Sequence, residues 1–289
     1  MRRIVPVLAT CVLLAMPSAT VQAIDFGGLI NKALDTGKKL QEANREFTPE
    51  EEVQLGEGIA SGFLGAVPLH PDANLQRYVN RVGRWIASNS ERPDLPWSFG
   101  VIDTETINAF ALPGGTVLVS HGLMKRLQSE SELAGVLGHE IAHVVKKHQL
   151  NAIQSSASTN IWTDLAKDEA ASRAGRGGGV GGVLKSQAAR VGVDLAKDGF
   201  VLRPLDRGME FEADKLGIVL AARAGYDPYG LVPVLQTLSQ MKSDGSGGSV
   251  FDTHPAPTDR LDEIERFVPA LDRYASHPTL EARYKQAVK

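Results

Sequence analysis

The pentapeptide His139-Glu140-Ile141-Ala142-His143 has the residue types and the spacing of a metal site. Two histidines at i and i+4 lie about 40° apart around a helix, so both imidazoles can reach one metal ion from a single face. The glutamate between them then lies beside the remaining coordination position, where hydrolysis needs a base. This HExxH pattern predicts a zinc protease site, and a pair of structural histidines is the alternative.

The surrounding residues predict a helix that positions the pentapeptide. Ser129 precedes Glu132 by three residues, which is a capping-box pattern at a helix start. Apolar side chains then recur at helical spacing with no proline, at Leu133, Val136, Leu137, Ile141, Val144 and Val145. Lys146, Lys147 and His148 follow at the far end, where positive charge suits the helix dipole. The two histidines of the motif are therefore expected to point into the protein.

A catalytic zinc site needs a third protein ligand, and a second predicted helix offers one. Asp206 can cap this helix, and Glu210 and Asp214 share one of its faces at i and i+4. One carboxylate can bind the metal while the other accepts the free N–H of a ligating imidazole. Glu212 lies about 200° around the helix from Glu210 and is expected to face elsewhere. A solvated acidic face is the alternative interpretation of the pair.

Two further segments accompany these motifs. Asn108-Ala109-Phe110-Ala111-Leu112-Pro113-Gly114-Gly115 lies upstream, and Thr253-His254-Pro255 with Arg260 lies downstream. In this order the four motifs resemble the HtpX and CAAX-prenyl-protease family of gluzincin metallopeptidases, number forty-eight in the peptidase classification. The resemblance covers most of residues 48–265. It implies a zincin-like catalytic domain of the α+β class, mainly helical, with a small β-sheet beside the HExxH helix.

The resemblance also implies a role for each of the matching side chains. The ligands of one zinc ion per chain would be His139, His143 and Glu210. Glu140 would be the catalytic base, and Asp214 would be the hydrogen-bond partner of a ligand. His254 is a candidate regulatory ligand or transition-state contact.

The segment before the motif predicts helices and then strands. Thr48-Pro49-Glu50-Glu51 is a helix start, and a second helix from Asp72 to Asn89 has an apolar side that includes Trp85. Residues 97–103 and 109–120 are predicted strands, the latter interrupted by a Pro-Gly-Gly turn. An edge strand here can align an extended substrate. The candidate substrate-binding residues are Asn108, Ala109, Phe110, Gly114 and Gly115, and an ordinary hairpin is the alternative.

The start of the chain predicts secretion. Residues 1–23 have the basic, apolar and small-residue regions of a signal peptide, with cleavage expected after Ala23. Cys11 leaves lipidation as an alternative. A periplasmic enzyme is the simplest interpretation. Residues 24–47 are expected to form a helical arm, and residues 48–289 a metallopeptidase domain with a Gly-rich insertion around 155–200, which is either a linker or a lid.

Composition is that of a globular enzyme and excludes several other classes. The formal net charge is −3, and removal of Arg2 and Arg3 leaves 29 basic against 34 acidic residues, so no nucleic-acid partner is expected. Cys11 is the only cysteine, which leaves no disulfide in the mature chain. No later segment has the length and apolarity of a transmembrane helix. Peripheral membrane association and the oligomeric state stay open.

These features together predict a zinc-dependent endopeptidase of the bacterial cell envelope that degrades misfolded or misassembled proteins. Two alternatives stay open. One is a periplasmic chaperone or assembly factor with a zinc-stabilised fold. The other is a latent protease in which His254 fills the fourth zinc position until substrate displaces it.

Overall fold

The computed structural model describes residues 46–155, 205–243, 254, 257–274 and 276–288, which all belong to one compact unit, Ala43–Lys289. The predicted signal peptide lies outside these residues, and so do nearly all of the helical arm and of the Gly-rich insertion. None of the helices in the described ranges combines the length and the apolar character that crossing a bilayer requires.

Helices dominate the described residues and one small sheet accompanies them. The helices with both ends described are α1 (Pro49–Ala66), α2 (Ala73–Ala87), α3 (His121–Met124), α4 (Glu130–Val145), α5 (Arg207–Arg223), α6 (Leu231–Ser243), α7 (Pro257–Phe267) and α8 (Glu281–Ala287). The strands are β1 (Ser98–Ile102), β2 (Ala109–Leu112) and β3 (Thr116–Ser120). Short 3-10 turns lie at Pro113–Gly115, Pro228–Gly230 and Val268–Tyr274. The α+β, mainly helical class is confirmed, and the sheet contacts α4 through β2 and β3.

The helix starts follow from the capping residues of the sequence. Thr48 and Glu51 form a complete capping box, in which each side chain accepts a hydrogen bond from the backbone N–H of the other. At α4 only half of the predicted box forms. Ser129 accepts from the backbone of Glu132, but the Glu132 carboxylate accepts from the backbone of Gln128 instead.

Helix α2 has the predicted apolar side, with one correction. Its buried side chains include Leu75, Tyr78, Val79, Val82 and Ile86. Trp85 was predicted among them, but it is 57% exposed. The indole N–H donates to the carbonyl oxygen of Ala224 at 2.8 Å. A tryptophan N–H needs a hydrogen-bond acceptor. The acceptor of Trp85 lies at the surface, so the exposed ring connects α2 to the end of α5.

The sheet has the order β1-β3-β2, so β2 is an edge strand of the described sheet. Strand β3 pairs in parallel with β1 and antiparallel with β2. The turn between β2 and β3 contains Gly114 at φ 77° and Gly115 at φ 103°. Only glycine adopts these angles without strain, which explains the Pro-Gly-Gly sequence of the turn.

Two glycines let α4 and α5 approach each other backbone to backbone. A Cβ on Gly138 would lie 2.5 Å from the carbonyl oxygen of Gly217, and a Cβ on Gly217 would lie 2.6 Å from the amide nitrogen of His139. No side chain fits at these distances, because non-bonded carbon atoms need about 3.5 Å. These glycines therefore allow direct contact between the backbones of the two predicted metal-binding helices.

Candidate metal centre

Two imidazoles of α4 converge on one point inside the protein. His139 and His143 are both buried, and their Nε2 atoms lie 3.0 Å apart. Their rings meet edge to face, with centroids 4.6 Å apart. Burial lowers the pKa of His143 to about 3, so this ring is neutral at physiological pH. Neutral imidazole is the form of histidine that binds a metal.

Helix α5 brings a carboxylate to the same point. Asp206 caps the helix by accepting a backbone N–H at 2.7 Å, and Glu210 follows one turn later, fully buried. Glu210 Oε2 lies 3.6 Å from Nε2 of His139, and its Oε1 lies 3.4 Å from Nε2 of His143. Burial opposes ionisation, but the surrounding histidines, His254 foremost, hold the pKa of Glu210 well below its usual range.

His254 is the fourth member of this cluster. Its Nδ1 lies 2.8 Å from Oε2 of Glu210, and its ring centroid lies 5.4 Å from that of His139 and 6.0 Å from that of His143. Burial favours the neutral ring, but the carboxylate of Glu210 raises the pKa of His254. The structure therefore places His254 within reach of the same metal, and its role there stays a prediction.

The donor set fits a zinc ion. His139, His143, Glu210 and His254 each offer one ligand atom, and these four atoms all lie within 4.8 Å of one another. Oε1 of Glu210 is buried and has no hydrogen-bond donor among the described residues. An unsatisfied buried carboxylate oxygen is costly, and a cation would satisfy it. Two imidazole nitrogens and one carboxylate oxygen also form a common ligand set of catalytic zinc.

Asp214 lies behind His139, on the side away from the cluster. Its Oδ1 is 2.9 Å from Nδ1 of His139. Arg260 of α7 donates to both carboxylate oxygens, through Nε at 2.8 Å and Nη2 at 2.6 Å. Burial alone would raise the pKa of Asp214, but Arg260 and His139 hold it at about 2. The carboxylate therefore stays ionised and can accept the Nδ1–H of a ligating His139.

Glu140 lies at a narrow cleft beside the cluster. The cleft has a volume of about 40 Å³, and its walls include His139, Glu140, His254, Asn108 and Ala109. This volume holds roughly two or three water molecules. Burial raises the pKa of the Glu140 carboxyl, which is the direction that suits a general base. Two of the predicted substrate residues thus share a cleft with the predicted base.

The other three predicted substrate residues have different neighbours. The ring of Phe110 packs against Phe63 of α1, with centroids 5.0 Å apart. Gly114 donates its N–H to Oε1 of the buried Glu52 at 3.2 Å. Gly115 lies against an indole ring. These contacts join the turn to α1 and to the core, and a substrate role for the three residues stays a prediction.

The structure adds two residues that sequence analysis placed outside the site. His148 is buried, and its Nδ1 lies 2.9 Å from Nδ1 of His143. The Nε2 of the same ring lies 3.2 Å from Oε2 of Glu212. Glu212 does face away from the metal cluster and is 48% exposed, as its helical position predicts. The one available sequence signal was a third histidine five residues after the motif.

An HExxH helix, a second helix with a buried glutamate facing it and a small sheet beside them are the elements of a zincin-like metallopeptidase domain. The model of peptidase family M48 matches residues 73–268, which is more than half of the chain. The chain therefore belongs to this family, and the resemblance noted in the sequence is confirmed.

Several characterised proteins are similar to this chain. The beta-barrel assembly-enhancing protease of Escherichia coli (strain K12) is 30% identical over 73% of the chain and 42% of that protein. The protein of the same name from Yersinia pestis is 28% identical over 83% of the chain and 48% of that protein. The mitochondrial metalloendopeptidase OMA1 of Schizosaccharomyces pombe is 33% identical over 66% of the chain and 52% of that protein. The chain spans about half the length of these relatives.

Proposed function

We propose that the protein is a zinc-dependent endopeptidase. The observation that carries this proposal is the convergence of two buried imidazoles and one buried carboxylate next to a glutamate that lines a cleft. His139, His143 and Glu210 would hold the zinc ion. When bound, zinc supplies Lewis-acid chemistry, which lowers the pKa of water and polarises a carbonyl group.

Proton transfer, orientation of the ligands and alignment of the substrate fall to other residues of the chain. Glu140 takes the proton from the attacking water and passes it to the departing amine, so it needs a raised pKa and a position in the cleft. Asp214 orients His139 through Nδ1, and Arg260 orients Asp214. Strand β2 is at the edge of the described sheet, and its outer edge would align an extended peptide by backbone hydrogen bonds once the Ala109 N–H leaves Oδ1 of Asn108.

The substrates we propose are unfolded or misassembled proteins of the cell envelope. Relatives named for enhancing beta-barrel assembly support this choice, and the predicted signal peptide supports a periplasmic location. Extended substrates fit an edge-strand mechanism, because only an unfolded segment can add a strand to the sheet.

The test is degradation of casein, an unfolded protein, by the mature chain with and without zinc. Cleavage that a chelator abolishes and that added zinc restores is expected. A zinc-loaded, folded protein that leaves casein intact would contradict an unrestricted endopeptidase. That result would favour an assembly factor that binds such proteins without cutting them.

A latent protease is the second candidate, and the position of His254 favours it. Its Nδ1 lies 2.8 Å from a predicted zinc ligand, and the cleft beside it has room for only a few waters. A resting enzyme with His254 on the metal would need substrate to displace this ring. His254→Ala is then expected to raise casein cleavage severalfold, whereas an open site would gain nothing from the change.

A further inference from the structure

His148 reaches His143 through an unusual turn. Helix α4 ends at Val145, and Lys147 then adopts a left-handed backbone with φ 58°. Residues 148–155 are helical again. In an uninterrupted helix, His148 would point about 140° away from His143. The left-handed residue instead turns the chain back, so that the imidazole of His148 lies buried beneath the predicted zinc ligand.

A continuous line of polar atoms follows from this turn. Nε2 of His143 faces His139 and Glu210, at 3.0 and 3.4 Å. Its Nδ1 faces Nδ1 of His148 at 2.9 Å, and Nε2 of His148 faces Oε2 of Glu212 at 3.2 Å. The line ends at the surface, because Glu212 is half exposed and pairs with the ammonium group of Lys146 at 2.6 Å.

We propose that His148 and Glu212 act as positioning residues that fix the tautomer of His143. Two nitrogens 2.9 Å apart must share one proton, so only one of the two Nδ1 atoms can carry it. If His148 carried it, the other nitrogen of this neutral ring would be bare and would face a carboxylate oxygen. With the proton on Nδ1 of His143, that ring donates to Nδ1 of His148 and the Nε2–H of His148 donates to Glu212, which leaves Nε2 of His143 for a cation.

The consequence is that, with a cation in the cluster, the lone pair of His143 Nε2 faces the cation while His148 holds the Nδ1–H on the other side of the ring. In water a neutral histidine side chain exists as a mixture of two tautomers, and only the one with its proton on Nδ1 can bind a metal through Nε2. The inference rests on the proposed metal role of His143 and deepens it. It assigns to Glu212 a use that is distinct from that of Glu210, two residues earlier on the same helix.

The test compares His148→Leu, which offers no acceptor, with His148→Asn, whose Oδ1 occupies the place of the histidine Nδ1. Zinc affinity is measured by competition with a chelator of known affinity. His148→Leu is expected to bind zinc about 10- to 100-fold more weakly, as for other partners of ligating histidines. His148→Asn is expected to recover most of this loss. Glu57→Gln, an exposed position on α1, is the control and should bind as the wild type does.

A second readout needs no variant. Nitrogen-15 NMR of the zinc-loaded wild type is expected to show His148 with its proton on Nε2 and with Nδ1 accepting the Nδ1–H of His143. A proton on Nδ1 of His148 would overturn the proposal, and so would equal zinc affinities of the Leu and Asn variants when both are folded. A wild type that binds no zinc would instead contradict the proposed function, so the two failures are distinguishable.

Discussion

At the scale of single residues, each of the two predicted zinc-binding histidines of α4 is held by a partner behind it. His139 faces Asp214, and two N–H groups on one edge of the Arg260 guanidinium donate to the two oxygens of Asp214. His143 faces His148. Such partners fix ring orientation, which a metal site needs as much as the ligands themselves. The fork of an arginine matches a carboxylate in a way that a single ammonium group cannot.

Arg260→Lys tests the importance of this fork. The change keeps the charge but removes one of the two hydrogen bonds to Asp214, which is buried. The free energy of unfolding is expected to fall by about 2 kcal/mol, and the affinity for zinc is expected to fall roughly tenfold. Arg266→Lys is the control, because Arg266 is 74% exposed and pairs with Glu263 at the surface. Thermal unfolding measures the change in stability, and chelator competition measures the change in zinc affinity. Equal results for the two variants would contradict the importance of the two hydrogen bonds from Arg260 to Asp214.

Much of the candidate site could be read from residue spacing, because i and i+4 positions share a helix face whatever the rest of the fold does. The structure brings His139, His143, Glu210 and Asp214 together as that rule indicates. The partnership of His148 could not be read in this way. It depends on the left-handed Lys147, and nothing in a lysine signals that conformation.

At the scale of elements, the site depends on how closely α4 and α5 approach. The ligands come from both helices, so the distance between the helix axes sets the distance between the ligands. Gly138 and Gly217 permit contact between the two backbones. A sequence shows the faces of each helix but not which helices touch, so this contact could not be predicted from the glycines alone.

Gly217→Ala should therefore damage the site without touching a ligand. The added methyl group meets the backbone of His139 and must force the helices apart, at a cost of about 2 to 3 kcal/mol. Zinc affinity is expected to fall with the stability. Gly58→Ala is the matched control, because a methyl group there on α1 meets nothing within 4 Å. It should stabilise the protein by about 0.5 to 1 kcal/mol. A neutral Gly217→Ala in unfolding experiments would rule out the close contact.

At the scale of the whole described domain, a buried carboxylate outside the candidate site joins distant parts of the chain. Glu130, at the start of α4, accepts hydrogen bonds from the hydroxyls of Tyr78 and Tyr226, each at 2.9 Å. It also pairs with Arg283 of α8. The start of the HExxH helix is thereby tied to α2, to the segment after α5 and to the C-terminal helix. This junction lies at the opposite end of α4 from the predicted zinc ligands.

Glu130→Gln is expected to loosen this junction and to leave the zinc ligands in place. An amide cannot accept hydrogen bonds from two tyrosine hydroxyls and an arginine as a carboxylate does. The free energy of unfolding should therefore fall by about 2 kcal/mol. Glu281→Gln, at an exposed pair on α8, should change stability by less than about 0.5 kcal/mol. Zinc bound per folded chain should stay at the wild-type value in both variants. A loss of zinc with Glu130→Gln would show that the junction also shapes the site.

Helices α1, α2 and α4 and the strands between them could be predicted because helix caps, strand alternation and the Pro-Gly-Gly turn are local signals, whereas the fold class followed from the family resemblance. The exposure of Trp85 and the role of Glu130 could not, because both depend on partners far away in the sequence, Ala224 and Arg283. Long-range pairing of polar groups leaves no periodic trace in the chain.

The central claim is that Glu140 is a base beside a zinc ion held by His139, His143 and Glu210. The most direct measurement compares wild type and Glu140→Gln, both loaded with zinc, for casein cleavage and for zinc content. We predict equal zinc content and a loss of cleavage of at least about a hundredfold in the variant. Cleavage by Glu140→Gln at the wild-type rate, with zinc fully bound, would contradict the account.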